Sequence, residues 1–210
     1  MNQKNGKNPL GIDSCFEDLD NPIKLFEKWF SKAKKTEIND PNAFAVGTVN
    51  KNGFPTVRMV LLKDFDKNGF VFYTNLNSDK SKAIKNTSKI SMCFHWKSLQ
   101  RQIRIVGTAS KVSKKEADAY YNSRAYGSRI GAWASKQSSV LKERKDLYNS
   151  IEEFKKKFPN KNKIPRPEHW SGWRIKPKEI EFWLDGDNRI HERLKYTINN
   201  KNWKKVLLSP

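Results

Sequence analysis

The chain has 210 residues with 42 Lys and Arg against 22 Asp and Glu, a net charge of +20, and 12% aromatic residues including seven Trp. That length can bury a core of its own, and rings at that density exclude a disordered chain. No apolar run reaches the ~18 residues of a membrane helix, no leader pattern marks Met1–Cys15, and Cys15 and Cys93 lack metal or redox spacing, so a cytoplasmic protein without a metal is expected.

The basic excess has three readings. Lysines scattered through Lys/Asn-rich turns such as Lys155–Lys163 point first to a solvated surface. Attraction of phosphorylated small molecules comes next, and nucleic-acid binding last.

In chain order, residues 1–20 read as a flexible polar segment and 21–210 as one domain. Asn21-Pro22 opens a helix whose apolar stripe is Ile23, Phe26, Trp29 and Phe30. Ala43–Val49 and Thr56–Lys63 read as strands around a turn at Asn50–Gly53, followed by a strand over Phe70–Thr74. A short helix is expected around Asp79–Asn86, then strands over Ile90–Trp96 and Gln102–Val112. Ser113-Lys-Lys-Glu116 has the form of a capping box. It starts a helix with Tyr120 and Arg124 on one face, which Gly127 or Gly131 should end. Ser138 or Ser139 would cap a further helix with apolar positions at Val140, Leu147, Ile151, Phe154 and Phe158. After a linker over Pro159–Pro167, strands are expected over Trp173–Ile175, Ile180–Leu184 and Arg189–Tyr196, with a hairpin turn at Asp185–Asn188. Short strands at this spacing, with polar turns, predict a mainly β fold with flanking helices, an antiparallel barrel rather than a parallel sheet.

The sequence has no GxGxxG, P-loop, CxxC or HExxH pattern, and His95, His169 and His191 lack metal-ligand spacing. Three other patterns carry chemistry. Strand alternation over Arg189–Arg193 would put Arg189, His191 and Arg193 on one face, a cationic set suited to an anion or an electron-rich ligand, with Trp183 on the strand before it. Tyr120, Arg124 and Ser128 together could hold a phosphate monoester. Arg58 and Lys63 close the two ends of an apolar strand, which a core strand seldom tolerates without a partner. Each pattern alone also fits an ordinary solvated surface.

Taken together, RMVLLK at 58–63, FYTN at 72–75, RQIR at 101–104, SRAYGSRIGAWASKQSS at 123–139, EFW at 181–183 and RIHER at 189–193 resemble the pyridoxamine/pyridoxine 5'-phosphate oxidase family in order and spacing. The resemblance implies an FMN-binding split β-barrel, Greek-key and antiparallel, working as a homodimer with FMN between subunits. By motif, Arg58, Met59, Val60, Leu61, Leu62, Lys63, Tyr73, Thr74, Lys80 and Gln102 would hold FMN from one chain. Gln137, Ser138, Trp183 and Arg193 would come from the other. Lys63, Tyr120, Arg124 and Ser128 would grip the substrate phosphate, and Arg189 and His191 would lie over the pyridine ring as the catalytic pair. The implied reaction oxidises pyridoxamine or pyridoxine 5'-phosphate to pyridoxal 5'-phosphate, with O2 reduced to H2O2. Neither nucleic acid nor membrane is an expected partner. Where relatives often carry Ser-Arg-Lys, this chain has Ser78-Asp79-Lys80, and Asp79 is expected to turn to solvent or pair with a lysine such as Lys82. The rivals are a flavin reductase-like enzyme on the same fold, which would not need the substrate-side residues, and a basic nucleic-acid binder, which would need clustered cations with exposed rings.

Overall fold

The computed structural model describes residues 6–210. Its centre is an antiparallel sheet of nine strands in the order β2-β1-β5-β6-β7-β4-β3, with β8 on β7 and β9 on β8. The strands are β1 (Ala43–Val49), β2 (Pro55–Leu61), β3 (Asp64–Asp66), β4 (Gly69–Asn75), β5 (Lys89–Trp96), β6 (Arg101–Lys111), β7 (Trp170–Leu184), β8 (Glu192–Asn199) and β9 (Asn202–Leu208). Five helices flank it: α1 (Pro22–Thr36), α2 (Asp79–Asn86), α3 (Lys114–Ser123), α4 (Tyr126–Ala134) and α5 (Arg144–Lys157). The curled sheet with flanking helices is the mainly β architecture expected.

Helix α1 plugs the curl of the sheet. Asn21 caps it by accepting from the Ile23 amide, and Pro22 stands in the first turn, where a missing N–H costs nothing. Leu25, Phe26, Trp29, Phe30 and Ala33 are buried, and the Phe26 ring meets Phe65, Phe70, Phe94 and Trp96. Each such ring stabilises the fold by about 1.5–3 kcal/mol through area burial.

Strand β7 is the organiser. It was expected as two strands, because Pro177 interrupts the run. It is continuous, pairing β4 through Trp170–Ile175 and β8 through Glu179–Leu184, with β6 along its other edge. Proline is tolerated because β7 bulges there: Val106 pairs with Glu179 and Gly107 with Pro177, leaving Lys178 as the extra residue. A Cβ on Gly107 would collide with the Lys176 carbonyl, so the bulge requires glycine there.

Other boundaries differ for local reasons. Helix α3 begins with the capping box at Ser113 and Glu116 but stops at Ser123, where Arg124 turns extended. Gly127 and Gly131 then lie inside α4 rather than ending a helix. Glu143, not Ser138 or Ser139, caps α5, and Val140 lies exposed outside it. The expected strand over Arg189–Tyr196 begins only at Glu192. Asp187–Arg189 is a 3-10 turn, with Asn188 and Arg189 at φ 55° and 64°. Arg189, His191 and Arg193 therefore do not share one strand face. Of the N-terminal segment expected to be flexible, residues 1–5 lie outside the described residues. From Gly6 onward it is attached: the Asp13 amide donates to Glu192 at 2.7 Å, the Tyr196 hydroxyl donates to the Leu19 carbonyl at 2.7 Å, and Phe16 is fully buried against Trp29. Among the described residues no helix is long and apolar enough to cross a membrane.

Candidate active site

A cleft of about 830 Å³ opens between β2, β4 and the start of α2 on one side and α3, α4 and residues 135–137 on the other. Four cations line it, Arg58, Lys63, Lys80 and Arg124, and no carboxylate does. Burial lowers the pKa of Arg58, Lys80 and Arg124, and for Lys80 the nearby Arg58 charge adds to it. Cations held close together and partly desolvated favour an anion among them.

The base of the cleft is ordered by hydrogen bonds. Lys80 Nζ donates to Thr74 Oγ1 at 3.2 Å, Ser78 Oγ at 3.3 Å and Gln137 Oε1 at 3.1 Å. Thr74 Oγ1 donates to the same Gln137 oxygen at 3.1 Å. Arg58 is held on the sheet by Thr48 Oγ1 and Thr56 Oγ1, each at 2.7 Å. Ser138, at φ 68°, accepts from the Asp79 amide at 3.3 Å. Asp79 itself points to solvent and pairs with Lys82 at 3.6 Å, as expected.

The opposite wall is aromatic. Tyr73 stacks on Tyr120 at 4.0 Å between ring centres, and on Trp170 at 5.3 Å. Burial, with Glu116 nearby, pushes the Tyr73 hydroxyl up to about 12. Arg124 lies 4.7 Å over the Trp170 ring, with its Nη1 buried and unpartnered. Among the described residues the side chains of Lys63, Tyr120, Arg124 and Ser128 make no hydrogen bond, so the donors of the expected phosphate grip are all unspent along the cleft. Trp170, which carries Arg124, and Asn75, which donates to the Ser135 carbonyl at 3.3 Å, line the cleft but were not anticipated. The aromatic richness of HWSGW at 169–173 was the available signal.

Of the expected cofactor set, Arg58, Met59, Val60, Leu61, Lys63, Tyr73, Thr74, Lys80 and Gln137 line this cleft. Leu62 does not: alternation turns it into the core, where it is 4% exposed. Gln137 and Ser138 belong with the first group in the same chain, and the assignment of them to the other subunit is corrected by their bonds to Thr74, Lys80 and Asp79. Gln102 moves the other way. It pairs with Trp183 across β6 and β7, and Trp183 pairs with Arg193 across β7 and β8.

These residues form a second cluster with His191, and Arg189 lies two residues before it on the same loop. The His191 ring lies 4.6 Å from that of Trp183. Glu181, buried beneath, accepts from Arg193 Nε at 2.9 Å, while Arg193 Nη1 donates to the Ser209 carbonyl at 2.8 Å. Along β7, Trp183 is eleven residues beyond Gly172, the partner of Tyr73, which is roughly 35 Å of extended strand. The two groups of residues therefore stand far apart within one chain.

The family described as pyridoxamine 5'-phosphate oxidase matches residues 30–183. The chain belongs to the pyridoxamine 5'-phosphate oxidase family. Residues 170–210 also match the family's pyridoxine 5'-phosphate oxidase C-terminal dimerisation region. A pyridoxine/pyridoxamine 5'-phosphate oxidase of Pelagibacter ubique is 65% identical over 211 residues, covering 100% of both chains. One of Bartonella henselae is 50% identical, covering 97% of this chain and 99% of the other. Among solved structures, PhzG from Burkholderia lata in complex with tetrahydrophenazine-1-carboxylic acid superposes with TM-score 0.87 at 27% identity, covering 95% of this chain and 97% of that one. A pyridoxamine 5'-phosphate oxidase-related, FMN-binding protein of Nostoc punctiforme shares the fold, with TM-score 0.73 at 16% identity, 90% of this chain and 98% of that one.

Proposed function

We propose that the chain oxidises pyridoxamine and pyridoxine 5'-phosphate to pyridoxal 5'-phosphate, with FMN as cofactor and O2 reduced to H2O2, at sites completed by a second copy of the chain. The observation that carries this reading is the cleft lined by four cations and no carboxylate. Two phosphate monoesters, one from the cofactor and one from the substrate, bring about −3 to −4 of charge, which matches it.

The residues divide the work by position. Arg58 and Lys80, with Thr74 and Gln137, suit the FMN phosphate. Arg124, whose Nη1 is buried without a partner, suits the substrate phosphate with Lys63, Tyr120 and Ser128, because a guanidinium fork matches phosphate oxygens. FMN, when bound, supplies the hydride acceptor. The second cluster, from the partner copy, brings Trp183 and Gln102 to the ring system and Arg193, held by Glu181, as an oriented hydrogen-bond donor there. Arg189 and His191 orient the pyridine, and such positioning is worth several kcal/mol. The dimerisation region matched at 170–210 and the exposed apolar side chains Val57, Met59 and Leu61 on β2 support the homodimer. The absence of disulfides at Cys15 and Cys93 fits a cytoplasmic setting.

The test is a visible spectrum of the purified protein, followed by anaerobic mixing with each phosphate ester and then air. Bleaching of a flavin band and stoichiometric H2O2 on reoxidation are expected. A protein that binds no FMN, or whose FMN neither ester reduces, overturns the proposal. The tetrahydrophenazine carboxylate bound by PhzG is the comparison substrate. It carries no phosphate for the Arg124 group, and it should not reduce the flavin.

A further inference from the structure

Arg124 is held by a ring, whereas the arginines that tie α3 to the rest of the fold are held by acids. It leaves the end of α3 in extended conformation, and its Cζ lies over the Trp170 ring, 4.7 Å from the ring centre. Arg166 pairs with Asp118 at 2.6 Å, and Arg174 with Glu116 at 2.6 Å and Asp66 at 2.8 Å. Among the described residues the Arg124 side chain has neither an ion pair nor a hydrogen bond, and its Nη1 is buried. A carboxylate would fix this guanidinium by neutralising it and by occupying its N–H groups. The face of a ring attracts the charge without cancelling it.

Trp170 is itself fixed from several directions. It opens β7 opposite Asn75 of β4 and is 6% exposed. Its amide donates to the Pro167 carbonyl at 3.0 Å, and its carbonyl accepts from Arg166 Nη1 at 2.7 Å. Arg166 Nε donates to Asp118 on α3 at 2.6 Å, so one guanidinium joins the strand that carries the ring to the helix that leads into Arg124. The ring stacks with Tyr73, 5.3 Å between centres and 8° between planes, and meets Tyr121 edge-on at 5.3 Å. A long side chain that would otherwise spread over many rotamers thus rests on a rigid surface. Rotamer freedom given up before the ligand arrives is not lost on binding.

We propose that Trp170 is a positioning residue that holds the Arg124 guanidinium, charged and with its donors unspent, for the phosphate of the substrate. This rests on the reading of Arg124 given under Proposed function. Trp170 acts through Arg124, so it serves the phosphate ester and not the pyridine ring, and it bears on substrate affinity rather than on the hydride step.

The test weakens the face of the ring while keeping its shape. A tryptophan fluorinated around its six-membered ring, introduced at position 170 alone, has little negative potential left on that face. KM for pyridoxine 5'-phosphate should rise about 2- to 30-fold, the range of one cation–π contact. Turnover should stay within about twofold, and KM for pyridoxine itself should not move. Trp170→Leu, which removes the face altogether, should raise KM for the ester at least as far. In an Arg124→Ala background neither change at Trp170 should add anything, because the group through which the ring acts is gone. An unchanged or lowered KM for the ester with fluorinated Trp170, an equal rise for ester and pyridoxine, or a rise that persists in full in Arg124→Ala each overturns the proposal. If instead Arg124→Ala alone keeps the wild-type preference for the ester over pyridoxine, the phosphate reading of Arg124 falls, and the proposal with it.

Discussion

Arg124 separates affinity from stability. Its Nη1 is buried and unpartnered, its charge lies 4.7 Å over Trp170, and burial lowers its pKa. An unmet buried donor costs the fold about 1–3 kcal/mol, while the contact with Trp170 returns about 0.5–2 kcal/mol. Removing the side chain should therefore leave the ligand-free protein within about 1 kcal/mol of wild type, since the two effects oppose each other. Binding is different. A charge-assisted bond to phosphate is worth about 1.5–3 kcal/mol, so Arg124→Ala should raise KM roughly 10- to 150-fold with a much smaller change in kcat. Arg124→Lys should recover only part, because an ammonium cannot offer the planar fork. The decisive assay compares pyridoxine 5'-phosphate with pyridoxine itself. Wild type should prefer the ester strongly in kcat/KM, and Arg124→Ala should lose most of that preference while treating pyridoxine much as wild type does. If the variant still discriminates like wild type, the phosphate does not sit on Arg124, and the assignment of this mouth of the cleft is refuted.

Four further outcomes are expected. Lys80→Met should weaken FMN binding, read by fluorescence titration, because the half-buried ammonium bridging Thr74, Ser78 and Gln137 is the cation at the proposed cofactor end. Asp79→Arg should tighten FMN only modestly, by about 0.2–1 kcal/mol and less at high salt, since Asp79 points to solvent; equal or weaker affinity at low salt would show that this position does not sense the phosphate. Val57→Asp, on the exposed apolar face of β2, should leave the monomer folded but shift light scattering from dimer towards monomer, with activity falling in parallel. Glu116 has its pKa lowered from 4.5, first by its hydrogen bond from Arg174 and then by those from Ser113; a depressed carboxyl contributes stability that is present above the unfolded value and lost as pH falls through the folded one, so Glu116→Gln should lower Tm at pH ~7 and converge with wild type at acid pH.

Elements with a local signal were legible in the sequence. The capping box at Ser113 and Glu116 and the Asn21-Pro22 start of α1 rest on side chains acting on their own backbone, so residue type alone reveals them. Outcomes decided by a distant partner were not. The continuity of β7 through Pro177 depends on a bulge at Lys178 facing Gly107 of β6, a pairing that residue types around Pro177 do not reveal. Arg189 was placed on a strand because its neighbours alternate, yet the chain there is bent by positive φ at Asn188 and Arg189. Strand β9 was missed because Lys204 and Lys205 break its apolar alternation. For the site, motifs indicated which residues matter but not which share a chain. Gln137 is far from Lys80 in sequence and touches it in space, whereas Gln102 stands on the opposite side of the sheet's organisation, beside Trp183.

The charge arrangement of the two clusters states which end of each ligand meets which. In the cleft, Arg58, Lys63, Lys80 and Arg124 have no carboxylate among the lining residues. In the second cluster the cations come with acids: Arg193 with Glu181 at 2.8 Å, Arg104 with the same Glu181 at 3.5 Å, and His191 with Asp185 at 3.0 Å. A full negative charge is drawn to unpaired cations and gains little from cations already neutralised. On the proposed reading the phosphates accordingly belong to the cleft, and the flat, mostly neutral rings to the second cluster, where Trp183 offers a face and the paired charges offer oriented hydrogen bonds. Arg189 is the exception, with no ion pair among the described residues, which suits the substrate-side role proposed for it. An arrangement that assigns charge to one cluster and orientation to the other is productive only when the two meet. Separated by roughly 35 Å of strand within one chain, they would meet, on the proposed reading, through a second copy.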